Sequence, residues 1–114
     1  MLQLFLNTIR AYRFTLSSEA ALKREMEMVL DNHGVEYLRE FTLDKTSRPD
    51  FMVSGHAIEV KIKGSAMAIY KQCERYCQFD QVKGLVLVTN RSMGMPAEIN
   101  GKPCEVVNLG RSWL

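Results

Sequence analysis

At 114 residues the chain has room for one domain of ordinary size and excludes two. With 46% hydrophobic and 25% charged residues it has a globular balance, and its formal net charge of +2 permits a nucleic-acid partner without arguing for one. Cys73, Cys77 and Cys104 are odd in number and lack paired spacing, which suits a reduced, cytoplasmic interior, and no apolar run approaches the roughly 20 residues of a membrane span.

Leu2, Phe5, Leu6, Ile9 and Tyr12 recur at helical spacing. They predict a short amphipathic helix within residues 1–16, or an arm there that packs on a partner subunit. Ser17 or Ser18 caps a second helix that runs to about Asn32, with Glu19 in its first turn beside the positive end of the helix dipole. Its apolar stripe is Leu22, Met26, Val29 and Leu30, and Gly34 stops it. Val35 to Leu43 alternates loosely and reads as a first strand.

The next segment alternates more sharply. Ser54-Gly55 is a two-residue turn between two β-prone runs, with glycine where a positive φ is usually needed. Folding there sets Val53 opposite His56, Met52 opposite Ala57, Phe51 opposite Ile58 and Asp50 opposite Glu59. One face then carries Phe51, Val53, Ile58, Val60 and Ile62, and the other Asp50, Glu59, Lys61 and Lys63. Gly64-Ser65 opens a third helix to about Phe79, with Ala66, Ile69, Tyr70, Cys73, Tyr76 and Cys77 as its buried stripe. Leu85 to Val88 is a continuous apolar run, fit for a strand covered on both faces. Asn90 to Met95 reads as a loop and Pro103 to Asn108 as a last strand. The order is α-α-β-β-β-α-β-β, one α/β (α+β) domain over residues 1–114 with a central mixed sheet flanked by helices. The passage from Glu59 to Leu87 has the length of a right-handed βαβ crossover.

Two carboxylates directly opposed in a hairpin repel one another unless a cation sits between them. A hard divalent ion such as Mg²⁺ takes oxygen ligands and reverses that repulsion. Lys61, two residues from Glu59, points the same way, and the Val60 carbonyl between them is a further candidate ligand. Such a cluster meets the needs of phosphodiester hydrolysis, where the metal polarises the phosphoryl oxygen and the ammonium stabilises developing charge. Arg48, Lys63, Lys71 and Arg75 are placed to hold phosphates. Plainer roles also exist: Asp50 as the acid of a Pro-Asp turn, Glu59 and Lys61 as a solvated strand face, Glu19 as a dipole partner, and Tyr70 and Tyr76 as core aromatics.

Pro49-Asp50, a short spacer, then Glu59-Val60-Lys61 resembles the signature of the PD-(D/E)XK nuclease superfamily. The element order from about Ser18 to Asn90 also resembles that superfamily's restriction-endonuclease-like core. Ser18-Glu19, Arg48-Pro49-Asp50-Phe51 and Ile58-Glu59-Val60-Lys61, followed by Gln72 and Tyr76, are similar to the small phage and bacterial VRR-NUC and Holliday-junction-resolvase-like nucleases. The resemblance implies that Asp50 and Glu59 bind Mg²⁺ or Mn²⁺ and that Lys61 assists catalysis. It implies Glu19 as an accessory acid at the metal shell and Gln72 as the polar residue of the following helix.

The expected activity is a metal-dependent endonuclease acting on branched or duplex DNA. So small a domain suits a homodimer, with the N-terminal arm and Trp113-Leu114 as candidate contacts. Two alternatives are a subunit that needs a helicase or recombination partner, and a nucleic-acid-binding or assembly protein that keeps the fold without hydrolysis.

Overall fold

A computed structural model describes residues 1–110, which form a six-stranded mixed sheet with helices on both faces. In chain order the elements are α1 (Leu2–Ala11), α2 (Glu19–Asn32), β1 (Leu38–Arg39), β2 (Phe51–Val53), β3 (His56–Lys61), α3 (Ala66–Tyr76), β4 (Gly84–Thr89), β5 (Glu98–Ile99) and β6 (Lys102–Asn108). The strands lie in the order β1-β2-β3-β4-β6-β5. β3, β4 and β6 are mutually parallel, and the remaining pairings are antiparallel.

The alternation in β2 and β3 divides the core as their sequence predicts. Phe51, Val53, Ile58 and Val60 join Val86 and Val88 beneath α1 and α2. Met52, Ala57, Leu85 and Leu87 turn the other way, beneath Ile69, Cys73 and Tyr76 of α3. β3 and β4 are therefore covered on both sides, which is why β4 is apolar at every position from Leu85 to Val88.

Local chemistry sets the ends of the helices. Ser18 caps α2, its hydroxyl accepting from the Ala21 amide at 3.0 Å. At the other end Gly34 takes a φ of +70°, its amide donates to the Asp31 carbonyl, and the Val35 amide donates to that of Leu30. This paired closure leaves Leu30 and Val35 together in the core. α1 is a helix of this domain and not a free arm, because Phe5 and Ile9 are wholly buried against α2 and the sheet. Trp113 and Leu114 lie outside the described residues.

Several expectations need correction. The first strand is two residues long, not the span Val35 to Leu43, because Glu40 turns to a φ of +49° and ends the extended run. α3 stops at Tyr76, and Ala66 at its first turn is exposed instead of buried, while Tyr70 is half-buried. An additional strand, β5, pairs with β6 around Asn100-Gly101, both at positive φ, the favoured geometry of a tight hairpin. The observed order is thus α-α-β-β-β-α-β-β-β. Among the described residues, no helix is long and apolar enough to cross a membrane.

The β2–β3 turn has the expected register, with Val53, Met52 and Phe51 opposite His56, Ala57 and Ile58. Ser54 and Gly55 both have positive φ, +49° and +80°. A Cβ on Gly55 would meet the Lys83 side chain at 2.9 Å, whereas one on Gly34 would meet nothing. Gly34→Ala is therefore expected to lose about 1 kcal/mol through backbone strain alone. Gly55→Ala should lose about as much, because the Lys83 side chain that its Cβ would meet is exposed and can move aside. Urea unfolding of the two variants checks this, and a variant that loses nothing would contradict the positive φ at its position.

Candidate functional site

The parallel strands β3, β4 and β6 end side by side at Lys61, Thr89 and Asn108. Ligands of open α/β sheets gather outside such carboxyl ends. Glu19, Asp50, Glu59, Lys61 and Gln72 come together around the end of β3.

Glu59 is the most deeply set of them, with 2% of its surface exposed. Being two residues from Ala57 on β3, it faces α3 and not solvent. The Tyr76 hydroxyl donates to Glu59 Oε1 at 2.9 Å, and Gln72 Nε2 donates to the Tyr76 oxygen at 2.9 Å. On the other oxygen, Lys61 Nζ lies 3.3 Å from Oε2. Burial and then the neighbouring Asp50 charge push the Glu59 carboxyl up to about 7, against the opposing pull of Lys61 and Tyr76. Burial works against the Lys61 ammonium, but the Glu59, Glu19 and Asp50 carboxylates outweigh it and raise its pKa. Burial, followed by Glu59, also raises the pKa of Tyr76, so it stays a donor.

Asp50 differs from the expected cross-strand partner of Glu59. The ladder ends at Phe51, and Asp50 sits in a bend just before it. Its Oδ2 accepts from the Val60 amide at 2.8 Å, and its Oδ1 meets Lys23 Nζ at 3.0 Å. Its own carbonyl accepts from Arg39 Nη1 and from the Glu40 amide. Asp50 thus continues the hairpin with its side chain where a backbone partner would have been, and its charge still reaches Glu59.

Glu19 bridges α2 to the end of β3. Its Oε2 accepts from the Ile62 amide at 3.0 Å and the Lys63 amide at 3.3 Å. Glu25 on the same helix is occupied elsewhere, accepting from the Thr15 amide. Arg48, Lys63, Lys71 and Arg75 are exposed, and Arg75 reaches back to the Ser47 hydroxyl at 3.3 Å.

Lys23 and the bond of the Tyr76 hydroxyl to Glu59 are absent from the sequence expectations. Lys23 lies four residues after Glu19, hence on the same helical face, and that spacing was the available signal. Tyr76 is buried in the core, as the apolar stripe of α3 predicts. A buried tyrosine needs an acceptor for its hydroxyl, and Glu59 is on the strand that α3 covers.

A hard divalent cation takes oxygen ligands. Asp50 and Glu59 offer carboxylate oxygens whose charges interact, and no soft ligand is close to them. Among the described residues, no group of three or more His, Cys, Asp or Glu forms a ready-made metal cage. Mg²⁺ does not require one, being held by one or two carboxylates with water and substrate phosphate completing its shell. On that chemistry the pair fits, and Lys23 and Lys61 neutralise it in the free protein. The larger cavities, including one of about 450 Å³ walled by Tyr37, Leu38, Phe41 and Met52, lie apart from these residues. Comparison with protein-family models, curated proteins and solved structures gives no match to this chain.

The Glu59 shift sets a pH test. A carboxyl whose folded pKa is raised contributes its full stability below its ordinary value of 4.5 and loses it as pH rises through about 7. Glu59→Gln cannot ionise, so in EDTA its stability relative to wild type should climb between pH 5 and pH 8. The gain is at most about 3 kcal/mol. Urea midpoints at the two pH values measure it, and parallel profiles would contradict the burial argument.

Proposed function

We propose that the chain is a divalent-metal-dependent endonuclease acting on DNA, with a restriction-endonuclease-like core of the PD-(D/E)XK type. The observation that carries this reading is the gathering of three acids at the end of β3: Glu59 on the Lys61 ammonium, Asp50 on the Val60 amide and Glu19 on the Ile62 and Lys63 amides. Three acids with a lysine among them at the carboxyl end of parallel strands suit phosphodiester hydrolysis better than they suit stability.

In this reading Asp50 and Glu59 hold Mg²⁺ or Mn²⁺, with the Val60 carbonyl as a further oxygen and Glu19 as an accessory acid. When bound, the cation would polarise a phosphoryl oxygen, offset its growing charge and make an attacking water more acidic. Lys61 remains protonated and stabilises negative charge on the phosphate as the transition state forms. Tyr76, itself bonded to Gln72, fixes the orientation of the Glu59 carboxylate, as hydrogen bonds outside a metal shell commonly do. Lys23 offsets the Asp50 charge while no other cation is bound. Exposed Arg48, Lys63 and Lys71 contact backbone phosphates without reading sequence. A twofold dimer would pair two such sites for cleavage of both strands or of a junction.

A second reading has one specific observation in its favour. Lys23 and Lys61 already neutralise the two carboxylates, as befits a nucleic-acid-binding protein that keeps the fold without hydrolysis.

Labelled duplex and four-way-junction DNA, incubated with Mg²⁺, Mn²⁺ or EDTA, separate the two. Cleavage is expected with either metal and not in EDTA. Asp50→Asn and Lys61→Ala should each slow it about 100-fold or more. Undiminished cutting by either variant would remove the site assignment, and DNA binding with no cutting in any metal would select the second reading.

A further inference from the structure

Arg91 stands two residues beyond β4, on the same edge of the sheet as Lys61. The chain fixes it from several sides. Its amide donates to the Thr89 hydroxyl at 3.0 Å, and its carbonyl accepts from Asn108 Nδ2 at 2.8 Å. Thr89 is wholly buried and pairs laterally with both Lys61 and Asn108, so the backbone of Arg91 is tied to the ends of the central strands. The side chain then crosses to the segment after β3, where Nη1 donates to the Gly64 carbonyl. Gly64 directly follows Lys63, so Lys61, Lys63 and Arg91 gather at one stretch of this edge.

An arginine so firmly positioned ordinarily has an anion. Arg91 has none among the described residues, where the ion pairs involve Arg10, Lys23, Arg39 and Lys61. Its Nε is the one buried side-chain nitrogen or oxygen there without a hydrogen-bond partner. Leaving a buried donor unmatched is costly, and more so on a charged group. The acids of the proposed site have other partners. Glu59 is taken by Tyr76 and Lys61, Glu19 by two amides, and Asp50 by Lys23 and Val60.

We propose that Arg91 is a phosphate-binding residue, clamping a DNA backbone phosphodiester adjacent to the one at Lys61. This inference rests on the DNA-directed reading above. A guanidinium whose Nη1 is engaged still presents its Nε–Nη2 edge, a planar fork that matches two oxygens of one phosphate. Seating that phosphate requires Nε to be uncovered, and the segment that directly follows Arg91, Ser92 to Met95, lines an open cavity of about 470 Å³ with Val106 and Asn108. Phosphate is favoured over a carboxylate because the same edge carries two further cations and the proposed hydrolytic site.

Fluorescence anisotropy of a labelled DNA duplex in EDTA, titrated with salt, tests the clamp without reading cleavage. Arg91→Ala should bind roughly tenfold more weakly. Its slope of log affinity against log salt should fall by about 0.9, the loss of one phosphate contact. Arg91→Lys should restore the slope but not the full affinity, since it keeps the charge and loses the fork. Lys83→Ala, an exposed position beside the Gly55 turn at the far end of β3, should change neither. Arg91→Gln, which keeps a donor for the Gly64 carbonyl, replaces Arg91→Ala if that variant unfolds.

Unchanged DNA affinity in a folded Arg91 variant overturns the clamp. So does wild-type protein that binds inorganic phosphate or polyglutamate but no DNA. Wild type that binds through Arg91 yet never cuts leaves the clamp standing and removes only the endonuclease reading. Wild type that cuts while Arg91→Ala binds normally removes only the clamp.

Discussion

A carboxylate carried under a helix is the constraint from which the rest of the site follows. Glu59 lies in a strand covered on both faces, where removing an ionised group from water is costly unless it is paired and hydrogen-bonded. Its two oxygens are met by Tyr76 from above and Lys61 from beside. Asp50 adds a second negative charge near enough to raise the Glu59 pKa further. Stability alone would be better served by an apolar residue facing Cys73 and Tyr76. The chain instead gathers three acids and two lysines around the end of β3.

The scaffold supplies the positions. A two-residue turn with both φ angles positive fixes the pairing of β2 with β3, which decides that Glu59 faces α3 and Val60 faces α2. The Ser18 cap starts α2 where Glu19 can meet the amides that follow β3, and one helical turn later Lys23 meets Asp50. α3, entered through Ser65 as its cap, brings Gln72 and Tyr76 to the same face one turn apart. Each side chain of the candidate site therefore comes from an element whose start is set by a short local signal, while the geometry between elements is set by core packing.

That division explains what could be read from the sequence. The hairpin register was legible because period-two alternation and Ser54-Gly55 agree, and α2 was legible because its cap, stripe and terminal glycine agree. The grouping of Glu19, Asp50, Glu59 and Lys61 followed from the register together with the resemblance. The short reach of β1 was not legible, since it depends on Glu40 leaving the extended region while Arg39 stacks on Phe51 at 4.7 Å. Nor was the bend that carries Asp50 out of the ladder to the Val60 amide. The burial of Glu59 was hidden because strand alternation marks two faces without saying which is covered, and here α3 covers one face while α1 and α2 cover the other. Asn100-Gly101, by contrast, was a plain hairpin signal that the reading passed over.

Calorimetric titration of Mn²⁺ into metal-free protein at pH 7, in two buffers of different ionisation enthalpy, addresses the shared-cation claim most directly. One saturable site per chain is expected, with buffer-dependent heat because a partly protonated Glu59 must give up its proton to become a ligand. Asp50→Asn and Glu59→Gln should each abolish that site. Absence of saturable binding in the wild type, or binding that survives either substitution, would show that the two carboxylates do not hold one metal between them.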